Sequence, residues 1–308
     1  MMTIRTALQL ATQQLTQARQ AHNLPVENPR LDAHILLSFL LSEERSFLYT
    51  HADQPLDTSQ EHLWHALIAR RAQGEPVAYL VGSTEFYGLE FKVDQRVLIP
   101  RPETELLVEA ALRLSRKYLD MGQIPIIADI GTGSGAIPIS LAIQEPRLSS
   151  IYAIDISPDA LAVAHLNCEQ HNVKSRIQLL QSDLLDALPE PVDLLLANLP
   201  YIGTNEQASM LPDVLDYEPH LALFSGPTGL DLLHRLLQEA PKKIREGAIL
   251  LLEMGYQQRA ALTQLVEAIW PQAHITCIRD YAGWERILQI EIHEPTHDTI
   301  YSPPINSR

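Results

Sequence analysis

The sequence predicts an α/β protein: an open, mainly parallel sheet whose last strand runs antiparallel, preceded by a small helical domain and a β-hairpin. Three observations carry this. From residue 124 onward, short apolar runs alternate with segments of helical periodicity. Before residue 82 the periodicity is helical throughout, and between them residues 83–100 alternate apolar and polar positions around a glycine. The 308 residues therefore divide into a helical domain (1–82), a hairpin connector (83–105), a sheet domain (106–294) and a tail (295–308). Pro295, Pro303 and Pro304 stand among polar residues in that tail, which is expected to be unstructured.

Taken in order, the first helix is expected to be capped by Thr3 and to carry Leu8, Ala11, Leu15 and Ala18 on one face. Asn28-Pro29 places a capping residue before a proline at the first helical position, and Leu31, Ile35, Leu36, Phe39 and Leu40 follow as an apolar face. Thr58-Ser59-Gln60-Glu61 reads as a capping box opening a third helix, with Leu63, Leu67 and Ile68 inward and a stop near Gly74. Phe86–Val93 supplies the hairpin, and Pro100 and Pro102 form a stiff bend before an amphipathic helix starting near Glu103. The strands of the sheet are placed at 124–130, 151–155, 177–180, 193–198, 247–254, 274–278 and 286–292. The last two have no long helix between them, which makes them an antiparallel pair.

Composition narrows the function. The chain is 46% hydrophobic and 20% charged, enough for a sizeable core. It has no apolar run near the ~18 residues of a membrane span. Its first residues, Met1-Met2-Thr3-Ile4-Arg5-Thr6 and then a Gln-rich stretch, are unlike a signal peptide. Cys168 and Cys277 make neither a disulfide framework nor a zinc site alone, so a reducing, cytoplasmic setting is expected. His62 and His65 share a helix face without a third ligand, so no metal is expected. The net charge of -15 opposes tight non-specific binding of duplex nucleic acid, whose affinity comes mostly from basic surface.

The chain has only 13 glycines, yet three fall within Asp129-Ile130-Gly131-Thr132-Gly133-Ser134-Gly135, between a strand and a helix. Glycines there let backbone approach a ligand, and helix-terminal N–H groups point outward. Twenty residues past Gly135, the next strand ends in Asp155, a carboxylate suited to the two hydroxyls of a ribose. Gly131, Gly133 and Ala136 also satisfy the dinucleotide fingerprint, so a nicotinamide oxidoreductase competes. Asp129 weighs against it, because a fixed carboxylate repels a pyrophosphate and attracts the ammonium and sulfonium of S-adenosylmethionine. After the third strand, Asp183 is placed to accept the exocyclic amine of an adenine and Leu184 to pack on its ring. A local turn cap by Ser182 or Asp183 explains the same residues nearly as well.

A fourth strand ends in Asn198-Leu199-Pro200-Tyr201, a polar amide at the carboxyl end of a central strand. Here the chain resembles the methyltransferases that modify planar or amide nitrogens through an Asn-Pro-Pro-Tyr motif. Among these it is most similar to the peptide chain release factor glutamine N5-methyltransferases. The resemblance runs from Pro29-Arg30-Leu31-Asp32-Ala33 through Glu75–Gly82, Phe86-Tyr87-Gly88 and Val97–Glu105. It continues in Tyr217–Leu223, Gly229-Leu230, Glu253–Gln258 and Asp280–Gly283. Pro100-Arg101-Pro102-Glu103-Thr104-Glu105 is its most specific run, since the sister family acting on a ribosomal protein usually reads differently after Pro-Arg. One position departs: Leu199 stands where the family usually has proline. Leucine keeps the backbone carbonyl but loses the fixed φ, while Pro200 still holds residue 199 extended.

The resemblance implies a Rossmann-like methyltransferase sheet, S-adenosylmethionine as cofactor, and methylation of a glutamine side-chain amide in class I release factors. It implies that the N-terminal helices recognise that protein substrate, with no membrane or direct nucleic-acid contact and a monomeric state expected. The site residues it points to are Asp129, Gly131, Thr132, Gly133, Ser134, Gly135, Asp155, Asp183, Leu184 and Asn198 for the cofactor. For the reaction they are Asn198, Leu199, Pro200 and Tyr201. The Asn198 oxygen and the Leu199 carbonyl are expected to accept the two N–H groups of the amide, with Tyr201 packing on its plane. A ribosomal-protein glutamine methyltransferase, an adenine-N6 methyltransferase of nucleic acid, and a cofactor-binding module inactivated through Leu199 stay open beside this reading.

Overall fold

The computed structural model describes residues 2–21 and 28–292. The expected unstructured tail, 295–308, lies outside the described residues. The N-terminal helices are α1 (Ile4–Ala21), α2 (Pro29–Leu41), α3 (Arg45–Thr50), α4 (Thr58–Ala72) and α5 (Val77–Val81). Their core joins Ile4, Ala7, Ala11 and Leu15 of α1 to Ala33, Leu36 and Leu37 of α2 and to Leu48, Trp64 and Ile68. Each fully buried aliphatic side chain there contributes about 1.5–3 kcal/mol over its exposed state.

Capping follows the sequence at two of three starts. The Thr3 hydroxyl accepts from the Thr6 N–H at 3.3 Å, and the Asn28 side chain accepts from the Leu31 N–H at 3.0 Å, with Pro29 following. The third start moves back one residue: Asp57 caps α4 in a reciprocal box with Gln60. Two predicted faces are corrected. Phe39 (45%) and Leu31 (38%) are exposed, because α2 is apolar around most of its circumference and periodicity alone cannot set its phase. Leu63 is 55% exposed, and the inward stripe of α4 is Trp64, Ile68 and Arg71. Its charged member, paired with Asp32, disguises the phase. The short helices α3 and α5 are absent from the sequence reading, since neither is long enough to show a period.

The hairpin is β1 (Ser83–Phe86) and β2 (Leu89–Lys92), joined by Tyr87 and Gly88, both at positive φ as a two-residue turn requires. A 3₁₀ turn over Pro102–Thr104 leads into α6 (Glu105–Asp120). The sheet domain continues as β3 (Ile127–Ile130), α7 (Ala136–Gln144), β4 (Ile151–Asp155), α8 (Pro158–Gln170), β5 (Ile177–Gln181) and β6 (Val192–Ala197). It ends with α9 (Pro212–Tyr217), α10 (Asp231–Glu239), β7 (Ile244–Glu253), α11 (Arg259–Ile269), β8 (His274–Arg279) and β9 (Glu285–Glu291). The first strand begins three residues later than predicted, because the Ile126 N–H is taken by the Asp193 carboxylate at 2.7 Å.

Among the described residues the sheet has seven strands in the order β5-β4-β3-β6-β7-β9-β8. The first five are parallel, and β9 enters antiparallel to both its neighbours. Alternate residues feed two cores: Ile127, Leu194, Leu196 and Leu251 pack towards α6 and α7, whereas Ala128, Ile130, Leu195 and Leu250 pack towards α10 and α11. The chain runs outward from β3 through β4 to β5, then returns to β6 on the other side of β3. The order reverses at β3, where ligands of open α/β sheets bind.

Candidate active site

A cavity of about 350 Å³ opens at the carboxyl ends of β3, β4, β5 and β6, within the usual size of small-molecule sites. Its floor is Ile130, Gly131, Thr132, Gly133 and Ser134; Asp155 closes one side and Asn198, Leu199 and Pro200 the other. Asp183 and Leu184 stand at the far end, beside Arg235 of α10. The connector residues Arg96, Val97, Leu98, Pro100, Arg101 and Thr104 and the loop residues Pro219, Leu221 and Ala222 complete the wall. The structure thus brings together the two stretches that the sequence placed around one ligand.

The glycine loop keeps its shape through β4. The N–H groups of Gly131 and Thr132 donate to the Ile154 carbonyl at 2.8 and 2.9 Å. Gly131, Gly133 and Gly135 all have positive φ, a region that side chains disfavour. The Asp155 carboxylate accepts from the Gly133 and Ser157 N–H groups, each at 2.9 Å. Burial pushes the Asp155 carboxyl up despite these bonds. Each oxygen keeps further acceptor capacity for a ligand hydroxyl.

Three predicted residues lie off the wall. Gly135 caps the start of α7. Asp129 is fully enclosed, and neither of its oxygens has a partner in the structure. Burial, reinforced by the nearby Asp155, pushes its carboxyl up to about 7. Tyr201 is not part of the wall either, and its hydroxyl donates to Glu253 at 3.5 Å. Asp183 does face the cavity but is ion-paired with Arg235 at 2.9 Å, while Leu184 is buried at φ +46°. The Ser182 hydroxyl accepts from the Ala187 N–H at 2.9 Å, so the turn cap and the cavity wall are shared between adjacent residues.

The acceptor turn is held from behind. Asn198 Nδ2 donates to the Thr104 hydroxyl at 3.0 Å, and that hydroxyl donates to Glu253 at 2.8 Å. Gln258 Nε2 donates to the carbonyls of Tyr201 at 2.8 Å and Thr228 at 3.2 Å. Gly229, at φ +78°, leaves room for the Tyr201 carbonyl, which a Cβ would overlap. Leu199 is buried in the core shared by Ile130 and Leu184. Arg101 is bound to Glu218 at 2.5 Å, fastening the connector to the loop after α9. Glu253 and Gln258, which the sequence offers only within a family-like run, back this turn. The available signal was an acid ending an otherwise apolar strand.

The residues fit S-adenosylmethionine. The glycine cradle admits close backbone approach, and Asp155 on the cavity wall can take a ribose. Two acidic groups at the loop oppose a pyrophosphate. Among the described residues no group of His, Cys, Asp and Glu is arranged to hold a metal ion, and no helix is long and apolar enough to cross a membrane.

Comparison with known proteins agrees with this geometry. Residues 6–82 match the model of the PrmC N-terminal domain, and residues 104–215 that of the methyltransferase small domain. The chain is 39% identical over 267 residues to the release factor glutamine methyltransferase of Rhodopirellula baltica, covering 86% of this chain and 90% of that one. It is 41% identical over 286 residues to that of Moorella thermoacetica, covering 92% and 97%. The fold alone is shared with the hMettl16 catalytic domain in complex with an RNA hairpin. That match has a TM-score of 0.53 at 17% identity, over 74% of this chain and 82% of that chain. On these matches, extending over nearly the full length of both proteins, the chain belongs to the release factor glutamine methyltransferase family.

Proposed function

We propose that this protein transfers a methyl group from S-adenosylmethionine to the side-chain amide nitrogen of a glutamine in a class I peptide chain release factor. The observation that supports it best is a cavity lined by the glycine loop on one side and by Asn198 on the other. In this reading Gly131, Thr132, Gly133, Ser134 and Gly135 form the cofactor cradle, and Asp155 takes the ribose hydroxyls. Asp183 and Leu184 flank the adenine, and Asp129 acts from behind the loop through its charge. The cofactor, when bound, supplies a methyl group already activated by a sulfonium.

An amide nitrogen is a weak nucleophile, because its lone pair is delocalised into the carbonyl. The chain compensates by positioning. Asn198 Oδ1 and the Leu199 carbonyl accept the two N–H bonds, aim the nitrogen at the methyl carbon and favour its pyramidal form. A bound cofactor would supply the methyl group, its sulfur keeping the electron pair of the broken carbon–sulfur bond, and the amide nitrogen, once methylated, would release one proton to solvent. Pro200 keeps residue 199 extended, and Tyr201 secures the turn through Glu253 and Gln258 rather than by stacking. The preorganised dipoles, which need not reorient during the reaction, provide most of the rate.

The N-terminal helices are assigned to recognition of the release factor. Their link to the acceptor side supports this: Arg19 and Arg71 both reach Asp213 of α9, at 3.4 and 3.2 Å. The two free cysteines fit a cytoplasmic setting. Incubation with methyl-labelled cofactor and either a release factor or DNA tests the reading. Label in a glutamine of the factor supports it. Label in DNA would point to adenine-N6 chemistry, and cofactor binding without transfer to an inactive module.

A further inference from the structure

A side-chain amide has two orientations of nearly equal shape, related by a half-turn, and only one presents an oxygen to the cavity. With the other, Asn198 would meet the substrate NH₂ with its own NH₂, donor against donor. Nothing within Asn198 selects between them, so the selection has to come from whatever lies behind it.

We infer that Thr104 and Glu253 are positioning residues for methyl transfer, fixing the Asn198 amide with its oxygen towards the substrate. The inference rests on the reading of Asn198 as the acceptor. Glu253 ends β7 one step beyond Leu252, which pairs with Ala197 of β6, so the strand register sets it beside Asn198. Thr104 enters from the turn before α6, 149 residues away in sequence, and both side chains are buried. Thr104 has one hydroxyl proton. A carboxylate only accepts, so at 2.8 Å from Glu253 that proton is committed to the acid. The lone pairs of the hydroxyl are then left to accept, and Asn198 must turn its NH₂ towards them at 3.0 Å. The polarity of the acceptor is dictated through two hydrogen bonds by the charge on Glu253.

A protonated Glu253 can instead donate to Thr104 and release the threonine proton towards Asn198 Oδ1, so the orientation is lost. Burial pushes the Glu253 carboxyl up to about 7. Glu103 opposes its ionisation, while Arg286 and the Thr104 and Tyr201 hydroxyls favour it. Arg286 is itself held by Asp280 at 2.8 Å. Turnover should therefore rise with pH as Glu253 ionises and level off above that range.

The test uses the full-length chain and its Thr104→Val, Thr104→Ser and Glu253→Gln variants, with a release factor as methyl acceptor. Turnover, KM for the factor and cofactor affinity by calorimetry are followed between about pH 5.5 and about 8.5. Thr104→Val should lose up to about 10²-fold in kcat, the scale of a misplaced reacting group, with cofactor affinity and KM within about threefold. Thr104→Ser should restore most of that loss, and Glu253→Gln should be slow without the acid limb. Wild-type kcat in Thr104→Val, an equal loss in Thr104→Ser, or an unchanged limb in Glu253→Gln would overturn the positioning role alone. Absence of transfer by the wild-type protein would overturn the functional reading with it.

Discussion

Gly131 faces Leu199 so closely that a Cβ on the glycine would stand 2.9 Å from the leucine Cδ2. The cofactor loop and the acceptor turn are therefore one packing unit. Gly131→Ala places a side chain both at φ +76° and against that methyl. The left-handed backbone alone costs about 1–2 kcal/mol. Adding Leu199→Ala removes the overlap but not the strain. The double variant should accordingly be more stable than the two single losses predict, by about 0.5–3 kcal/mol in urea unfolding. Strict additivity would show that the two residues do not press on one another.

If Asn198 is one of the two amide acceptors, Asn198→Ala removes it while sparing the glycine loop and Asp155. Turnover should fall on the order of 10²–10³-fold, the loss seen when one preorganised partner of a transition state is deleted. Cofactor affinity, read by calorimetry, should stay close to wild type. Near-wild-type turnover would remove Asn198 from the chemistry.

The strands were legible because parallel strands buried on both faces are written as apolar runs. Leu194-Leu195-Leu196 and Leu250-Leu251-Leu252 could hardly be anything else. The turn between β3 and α7 was legible because three glycines in five positions mark a tight strand-to-helix connection, and all three take positive φ. Helix phase in the N-terminal domain was not, since α2 is apolar on too many sides and Arg71 hides on a buried stripe of α4. Thr104 and Glu253 stood out only as members of family-like runs, Thr104 at the cofactor entrance and Glu253 at the acceptor loop or sheet edge; their hydrogen bond to each other and the link to Asn198 depend on the fold that brings them together. Asp129 reads in the sequence as a loop carboxylate facing the cofactor's positive charge, whereas its enclosure behind the wall depends on packing that no local pattern records.

Asp155→Ala should weaken cofactor binding at least about 10²-fold in calorimetry. It deletes the acceptor proposed for the ribose hydroxyls, and hydrogen bonds to a charged group are worth about 1.5–3 kcal/mol each. Asp155→Asn, which keeps one acceptor, should fall between. Unchanged affinity in the alanine variant would mean that the ribose lies elsewhere.

Asp213 connects the two domains on the acceptor side, bound by Arg19 and Arg71, and Tyr217 of the same helix donates to the Gln73 carbonyl at 3.3 Å. If the N-terminal helices present the release factor, Asp213→Ala should raise KM for the intact factor about 10-fold, with little change in cofactor affinity. Removing one partner of a largely buried ion pair commonly costs 3–5 kcal/mol, so melting temperature has to be followed in parallel. An unchanged KM would leave the helices as a stabilising cap.

Stability should depend on pH through the two enclosed acids. Burial pushes Asp129 and Glu253 each up to about 7, far above the ~4 of an unfolded chain. Between those values the folded protein keeps a proton that the unfolded chain has released. The folded state thus binds more protons, and stability falls as pH rises from about 4 to about 7, then levels off. Glu145, held down to about 2 by the Arg147 side chain, acts in the opposite sense but only below that window. Urea unfolding of the cofactor-free protein should therefore give a larger free energy near pH 5 than near pH 7.5, by a few kcal/mol. Asp129→Asn cannot ionise, so its profile should be flatter by the share that Asp129 contributes. A profile for Asp129→Asn that coincides with wild type would show that Asp129 does not hold its proton across this interval.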